Sequence, residues 1–238
     1  MAANNQLQGK RHVVTFSFDD GFLASSIRTA AIYEKYNLSA CFNVLASDEP
    51  GGNPGDIRRN FKSGDFALWN ELAARGHEIM PHGWNHTLKT SVPFEAAREL
   101  ITRCLDRFSE KLTGFDPKTA VFNFPYNAST PELENWLPSV VRAFRTRGGA
   151  INPFPTRETC ALTTASFGPE NAETHCDAAI AELLKRDSGW LIYNLHGLDR
   201  EGWGPVSERW LHSTLERLLQ IDSVVILPAA RSLDQAAK

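Results

Sequence analysis

Short apolar runs alternate with amphipathic stretches along most of this chain. The runs at residues 13–18 and 39–46 are rich in β-branched and aromatic residues, as β-strands are. Residues 23–36, between them, carry apolar residues at helical spacing, which predicts a strand, a helix and a second strand. Residues 93–113 show the clearest helical pattern, with one apolar face at Phe94, Ala97, Ile101, Cys104, Phe108 and Leu112.

The rest of the chain continues this alternation. The predicted elements are a helix over 66–76, strands over 77–80 and 120–124, a helix over 131–144 that is kinked or broken near Pro138, an extended piece over 145–147, a helix over 172–186, a strand over 189–197, a helix capped by Ser207 and running to about Leu219, and a strand over 223–227. Strands that alternate with helices imply a mostly parallel sheet, and the number of units in 238 residues favours a closed or nearly closed barrel over two domains.

Two long stretches, residues 47–66 and 148–171, are rich in turn residues and show no regular periodicity. Loops of this length in a compact domain are often lids or binding loops. We therefore expect them to serve function, with plain surface insertion as the alternative.

The composition is that of an ordinary globular enzyme. The chain is 42% hydrophobic and 22% charged, and its formal net charge is −3. Nucleic acid and anionic membrane surfaces select a basic excess, so neither is expected as a partner. The four cysteines are widely spaced and form no CxxC pair, which predicts reduced, mostly buried thiols rather than a thiolate zinc site or a disulfide framework.

The first residues carry no apolar run of the signal-peptide kind, and no stretch approaches the ~18 apolar residues of a membrane span. We therefore expect a cytoplasmic protein as the chain stands, or a secreted or periplasmic one if a leader was removed. Residues 1–11 are expected to form a flexible segment before one domain over 12–238.

Unusual polar residues follow several predicted strands. Asp19 and Asp20 follow the first strand, His82 and His86 follow the strand over 77–80, and His196 lies at the end of the strand over 189–197. The segment from Asn123 to Tyr126 ends another strand in the same way. In a parallel barrel these positions meet at the carboxyl ends of the strands, the face on which such folds build active sites.

His82 and His86 are four positions apart, the spacing that places two imidazoles on one face of a helical turn, where they can hold one metal ion. The alternative is one surface histidine and one at the edge of the core. A carboxylate from another strand end completes three ligands that suit Zn²⁺ or a similar divalent ion and leave a position open for water.

The neighbouring acids Asp19 and Asp20 can then have different roles. One would bind the ion, and the other would take a proton from the water whose pKa the ion lowers to roughly 7. The alternative for the pair is a turn with a helix N-cap. His196 could protonate a leaving nitrogen, or it could be a neutral histidine at the edge of the core.

These residues together resemble the polysaccharide deacetylase family, the carbohydrate esterases with a NodB-homology domain. The family's Thr/Ser-Phe-Asp-Asp motif matches Ser17 to Asp20, and its His-x-x-x-His motif matches His82 to His86. Its Arg-x-Pro-Tyr motif aligns with residues 123–126, and its final Leu-His motif with residues 195–196. The resemblance spans roughly residues 12–230.

The resemblance implies an α/β fold, a single-domain distorted (β/α)7-type barrel, and metal-dependent hydrolysis of an acetamido or acetyl ester group. Asp19 resembles the catalytic base, and His196 the catalytic acid. The metal ligands implied are Asp20, His82 and His86. The backbone N–H of Tyr126 would help to bind the oxyanion of the tetrahedral intermediate.

The sequence departs from the family pattern at two places. Asn123 stands where the family has an arginine that holds the catalytic Asp, so we expect Asp19 to lack a cationic partner and its pKa to be less depressed. The family's fourth motif, an Asp and a Trp that orient the acid histidine, has no match; Arg145 or Arg147 lies where it would fall.

Trp84 and Trp203 are candidates for stacking on a sugar ring, and Pro125 is grouped with them as substrate-binding. The alternative for both tryptophans is core or rim packing. The expected substrate is a small or oligomeric acetylated carbohydrate. Zn²⁺ is the expected ion, with Co²⁺, Ni²⁺ or Mn²⁺ as alternatives, and the oligomeric state stays open.

The leading hypothesis from the sequence is thus a metal-dependent deacetylase. A second hypothesis is an allantoinase-like hydrolase of another C–N bond, whose relatives tend to lose the metal ligands that this chain keeps. A third is a non-catalytic carbohydrate-binding protein on the same scaffold, which the two departures favour slightly.

Overall fold

The computed structural model describes residues 6–49 and 55–237, the side chain of Ile57 excepted. Its strands are β1 (His12–Asp19), β2 (Cys41–Val44), β3 (Glu78–Pro81), β4 (Val121–Asn123), β5 (Ala143–Arg147), β6 (Ile151–Asn152), β7 (Ala161–Thr164), β8 (Gly189–Leu195) and β9 (Val224–Ile226). Its helices are α1 (Leu23–Lys35), α2 (Phe66–Ala74), α3 (Phe94–Lys111), α4 (Pro131–Trp136), α5 (Ala172–Leu184), α6 (Glu208–Leu219) and α7 (Ala229–Ala236).

Strand β1 is the centre of the larger sheet. It pairs with β8 along one edge, and its other edge is shared by β9 at the start of the strand and β2 at its end. Strand β3 follows β2, and the short β6 pairs with β8 as the antiparallel member of this sheet. A second, parallel sheet has the order β4, β5, β7.

The two sheets meet along two seams. At the first, the Val121 amide lies 3.4 Å from Met80 Sδ, which places β4 beside β3. At the second, Thr164 Oγ1 donates to the carbonyl of Ile192 at 2.9 Å, and the Asn194 amide donates to the carbonyl of Ala165 at 3.0 Å. The prediction of a single α/β domain with a mostly parallel, barrel-like sheet is confirmed, and the distortion lies in these two seams, where regular ladders are replaced by single contacts.

The barrel interior is layered, because side chains alternate between the inner and outer faces of each strand. The inner residues at the strand starts form an apolar floor: Val13, Cys41, Val121, Ala143, Leu162, Trp190 and Ile192. Further along the same strands the inner residues are polar, and we call the following set the polar layer: Ser17, Asn43, Asn123, Arg145 and Asn194. Outward residues such as Phe16, Phe18 and Phe42 pack against the helices.

Most predicted elements are present. The helix over 93–113 is α3, and the Ser207 side chain caps α6 by accepting from the Trp210 amide at 3.1 Å. All four cysteines are free thiols, as predicted. Leu7, within the segment expected to be flexible, is buried and donates its amide to Gln235, whereas residues 1–5 lie outside the described part.

One prediction of local structure is confirmed in part, and two are wrong. The helix predicted over 131–144 breaks near Pro138, as expected, because Pro138 lacks an amide donor; it ends at Trp136 and does not resume, and Ala143 and Phe144 belong to β5 instead. The stretch 148–171, predicted as irregular, contributes β6 and β7. Helix α7 follows the strand that the sequence suggested as the last element.

The stretch 47–66 includes residues 50–54, which fall outside the described residues. Within residues 6–49 and 55–237, no helix is long and apolar enough to cross a membrane.

The chain turns sharply where β1 ends. Asp20 and Gly21 both adopt left-handed conformations, with φ of 76° and 72°. Gly21 also packs against the helix α2, where a Cβ would lie 2.9 Å from Trp69 Cζ2. The turn that carries Asp20 therefore depends on the absence of a side chain at the next position.

We expect Gly21→Ala to destabilise the protein by about 1–3 kcal/mol more than Gly76→Ala. Gly76 is the matched control, because it also has a left-handed φ of +92°, but a Cβ added there would meet no heavy atom within 4 Å. Urea unfolding of the two variants measures the difference. Equal losses would mean that backbone strain alone, and not the contact with Trp69, sets the requirement for glycine.

Candidate active site

A cavity of about 700 Å³ opens at the carboxyl ends of the barrel strands. Its lining includes the residues that the sequence placed at strand ends, namely Asp19, Asp20, His82, His86, Tyr126 and His196. The expectation that they meet on one face of the barrel therefore agrees with the geometry.

Asp20, His82 and His86 form a compact cluster at the base of this cavity. Asp20 Oδ1 lies 3.5 Å from His82 Nε2 and 3.3 Å from His86 Nε2, and the three potential ligand atoms lie within 4.8 Å of one another. Asp20 Oδ1 is buried and has no hydrogen-bond partner among the described residues. One carboxylate and two imidazoles suit a divalent ion such as zinc, so these residues fit the ion that the sequence implied.

Both imidazoles are oriented through their other nitrogen. His82 Nδ1 lies 2.9 Å from the carbonyl of Asn123, and His86 Nδ1 lies 3.2 Å from Asp56 Oδ2. A proton on each Nδ1 satisfies these acceptors and leaves the Nε2 lone pair for a ligand. Burial raises the pKa of Asp20, but the neighbouring imidazoles of His86, His82 and His196 outweigh it and hold that pKa below its usual range.

The two histidines do not lie on a helical turn, so that prediction is wrong. His82 continues the inner face of β3, and the chain then folds back through left-handed conformations at Gly83 and His86, with φ of 96° and 60°. The four-residue spacing therefore brings the imidazoles together through a loop, with ring centroids 5.3 Å apart.

Asp56 is a site residue that the motifs did not reveal. It belongs to the turn-rich stretch 47–66, which the sequence marked as a functional loop by its length alone. Its carboxylate also accepts from Arg58 Nη2 at 2.7 Å and caps the turn at Ile57–Asn60. Burial raises the pKa of Asp56, but His86 and Arg58 reverse this effect and hold it low, so Asp56 is an anion beside His86.

Asp19 is 1% exposed and is paired with Arg145, which corrects the expectation that it lacks a cationic partner. Arg145 Nη1 donates to Asp19 Oδ1 at 3.0 Å, and Nη2 donates to Oδ2. Asn43 Nδ2 donates to Oδ1 at 2.6 Å. Burial raises the pKa of Asp19, but the charge of Arg145 outweighs it and holds that pKa below its usual range.

The register of the smaller sheet explains why Arg145, and not residue 123, pairs with Asp19. Asn123 and Arg145 are direct neighbours on β4 and β5, and both point into the barrel. The arginine that reaches Asp19 is on β5, at the same register level as Asn123 on β4. Asn123 instead donates to Asn43 Oδ1 at 2.8 Å, so it supports Asp19 only through Asn43.

Tyr126 and Pro125 form a tight turn after β4. Tyr126 has a φ of 58° and lines the cavity, and its ring lies 4.4 Å from that of His86. Pro125 is buried under residues 82–86, which we call the histidine loop, and a Cβ on Gly83 would lie 3.3 Å from Pro125 Cγ. The turn therefore supports the histidine loop from below.

His196 lies across the cavity and is partly buried. Its ring meets Trp203 edge to face with centroids 5.3 Å apart, and no described carboxylate is hydrogen-bonded to it. This agrees with the missing fourth motif. Burial lowers the pKa of His196, opposed by the charges of Asp20 and Asp19, so an imidazolium formed there gives up its proton readily.

The two candidate stacking tryptophans lie in different places. Trp203 is 37% exposed and lines the cavity. Trp84 faces the α3 side instead, where its indole donates to Glu49 Oε2 at 3.0 Å and the Arg103 guanidinium lies 4.2 Å from its ring. The structure therefore does not bring Trp84 into the cavity.

Comparison with solved structures identifies the fold. A protein from Mycobacterium smegmatis described as a polysaccharide deacetylase superimposes with a TM-score of 0.70 at 14% identity, covering 98% of this chain and 92% of that one. A peptidoglycan N-acetylglucosamine deacetylase domain from Eubacterium rectale gives 0.60 at 16% identity, with 97% and 94% covered. The peptidoglycan deacetylase PdaC from Bacillus subtilis gives 0.57 at 16% identity, with 95% and 92% covered.

No curated protein sequence matches the chain at a significant level. The family model described as polysaccharide deacetylase matches residues 6–140, more than half of the chain, and this range contains the paired aspartates and both histidines of the cluster. The chain therefore belongs to the polysaccharide deacetylase family, and it is a deacetylase-type hydrolase that acts on amide C–N bonds.

Proposed function

We propose that this hydrolase removes an acetyl group from a carbohydrate and requires a divalent metal ion, zinc in the first place, with cobalt, nickel or manganese as alternatives. The observation that carries the proposal is the buried oxygen of Asp20, which has no hydrogen-bond partner among the described residues and lies between two oriented imidazoles. An acceptor buried without a partner is costly unless a ligand occupies it.

Asp20, His82 and His86 would hold the ion. When bound, a divalent ion polarises the acetyl carbonyl and lowers the pKa of a coordinated water towards neutrality. Asp19 lies next to this position, with Oδ2 at 3.7 Å from His82 Nε2, and it is kept anionic by Arg145. It is therefore placed to take the proton of the attacking water.

His196 is proposed to return a proton to the departing nitrogen. It lines the same cavity as Asp19, and its lowered pKa means that its imidazolium releases a proton readily. The amide N–H of Tyr126 is proposed to donate to the oxyanion. In the net reaction, water adds its oxygen to the carbonyl carbon, the C–N bond breaks, and acetate and an amine are released.

The carbohydrate part of the proposal rests on the named relatives and on the rim of the cavity. The relatives are named as deacetylases of polysaccharide or peptidoglycan. At the rim, Trp203 presents an exposed indole next to His196, a surface on which a sugar ring can stack. The cavity of about 700 Å³ is large enough for a small or oligomeric sugar.

Acetate release from a panel of acetylated sugars should occur, should stop when a chelator strips the protein, and should return when zinc is added. Enzymatic detection of acetate measures this directly. Chelator-sensitive release from none of the sugars would contradict the proposal and favour a carbohydrate-binding protein, and chelator-resistant cleavage of another C–N bond would favour an allantoinase-like hydrolase.

The two adjacent aspartates provide a matched pair of isosteric changes. Asp19→Asn should reduce kcat by about 100- to 10,000-fold, the usual contribution of a general base, and leave the bound metal in place. Asp20→Asn should instead reduce metal content, because it removes a ligand. Elemental analysis beside kcat separates the two roles, and full activity of Asp19→Asn would refute its assignment as the base.

Arg145 should be required for a stable, active Asp19. Arg145→Asn leaves a buried carboxylate without its cation, which we expect to cost about 3–5 kcal/mol of stability and most of the activity. The double variant Asn123→Arg, Arg145→Asn returns an arginine to the neighbouring inward position and should recover more than half of the stability. Urea unfolding measures the stability, and kcat/KM measures the activity. If the double variant is no more stable or active than Arg145→Asn, an arginine at position 123 cannot replace Arg145.

A further inference from the structure

Asn194 differs from the other amides of the polar layer. Asn43 and Asn123 bind each other, and Asn43 also binds Ser17 and Asp19. Asn194 is only 4% exposed and lines the cavity, yet its Oδ1 has no hydrogen-bond partner among the described residues. The polar atoms of a buried amide are normally hydrogen-bonded, so an oxygen without a partner indicates a place where a ligand can donate a hydrogen bond.

Two buried side-chain oxygens without a partner line the cavity in the described part of the chain. One is Asp20 Oδ1, which the proposed ion would occupy, and the other is Asn194 Oδ1. The remaining side-chain oxygens without partners, on Thr29 and Tyr33, belong to residues outside the cavity lining. Asn194 is thus the acceptor in this cavity that the proposed reaction leaves unused.

The position of Asn194 decides which part of a substrate it meets. It lies on the inner face of β8 two residues before His196, about 6.6 Å deeper in the barrel at the usual rise of a strand. Its register partner is Ser17, which lies one repeat below Asp19. The sugar must stay at the open mouth while the carbonyl lies at the level of Asp19, so the end of the acyl group points towards Asn194.

An acetyl group offers only a methyl to this oxygen. The oxygen is buried without a partner among the described residues, and a methyl group packed against it leaves the acceptor unpaired. A ligand that brings a hydroxyl to the same place supplies the missing hydrogen bond. A site built around a buried acceptor therefore favours the substrate that carries the donor.

We propose that the enzyme prefers an N-acyl group with a hydrogen-bond donor on the carbon next to the carbonyl, of which hydroxyacetyl (glycolyl) is the smallest, and that Asn194 accepts this hydrogen bond. The inference rests on the proposed function, because it concerns the acyl group of the same reaction. The chemistry is unchanged: water attacks the carbonyl carbon, the C–N bond breaks, and glycolate leaves in place of acetate.

The test compares three glucosamine derivatives that share one leaving group: N-acetyl, N-glycolyl and N-propionyl. With the zinc-loaded protein, kcat/KM for N-glycolyl should exceed that for N-acetyl by about 10-fold or more, the usual effect of one satisfied buried acceptor. N-propionyl has the size of N-glycolyl without its hydroxyl, and it should be the poorest of the three. This comparison needs no variant, so it holds even if a substitution at Asn194 impairs folding.

Asn194→Leu should lower the ratio of kcat/KM for N-glycolyl to kcat/KM for N-acetyl by at least 10-fold, while N-acetyl is still hydrolysed. Thr164→Val is the matched control, because Thr164 also lines the cavity and is buried, but its hydroxyl already donates to the carbonyl of Ile192. It should leave the ratio of N-glycolyl to N-acetyl unchanged. An equal change of the ratio in both variants would overturn the role of Asn194.

The outcomes also separate this inference from the proposed function. Turnover of N-acetyl with no preference for N-glycolyl would overturn the inference alone. If none of the three is hydrolysed, the proposed function fails, and calorimetry of the sugars with the Asp19→Asn variant still tests Asn194. The inference would be supported if Asp19→Asn binds N-glycolyl more tightly than N-propionyl and if the double variant Asp19→Asn, Asn194→Leu loses this difference. Equal binding of the two sugars, or no binding, would overturn it.

Discussion

The buried ion pair between Asp19 and Arg145 is the interaction on which the site depends. It joins the end of β1 in the larger sheet to β5 in the smaller one, so it crosses the barrel at the level of the polar layer. Two fully buried charges are stable only when their geometry is good and their other hydrogen bonds are satisfied. Ser17, Asn43 and Asn127 supply most of those bonds, and Arg145 Nε alone on the pair has no partner among the described residues. The polar layer thus supports one carboxylate.

This constraint also explains the different environments of the two adjacent aspartates. Asp19 is the last inward residue of β1 and therefore meets the arginine inside the barrel. Asp20 follows at a left-handed turn and faces the histidine loop instead. Identical side chains thus receive separate partners because the strand ends between them.

The sequence predicted the parts that depend on periodicity or on short motifs. The alternation of strands and helices, the capped helix α6 and the meeting of Asp19, Asp20, His82 and His86 at one face all follow from local patterns. The partner of Asp19 did not, because Arg145 lies 126 positions away and its role depends on the register between β4 and β5. The path of the histidine loop and the contact from Asp56 likewise depend on tertiary packing.

The seam between β3 and β4 has a thermodynamic consequence. His82 extends β3, and its Nδ1 bonds to the carbonyl of Asn123 on β4, so one hydrogen bond both orients a proposed ligand and joins the two sheets. A ligand that binds only the folded state stabilises that state by mass action. Binding of an ion to the cluster would therefore stabilise the contact between the two sheets. In turn, a change that weakens this contact would lower the affinity for the ion by the same coupling free energy.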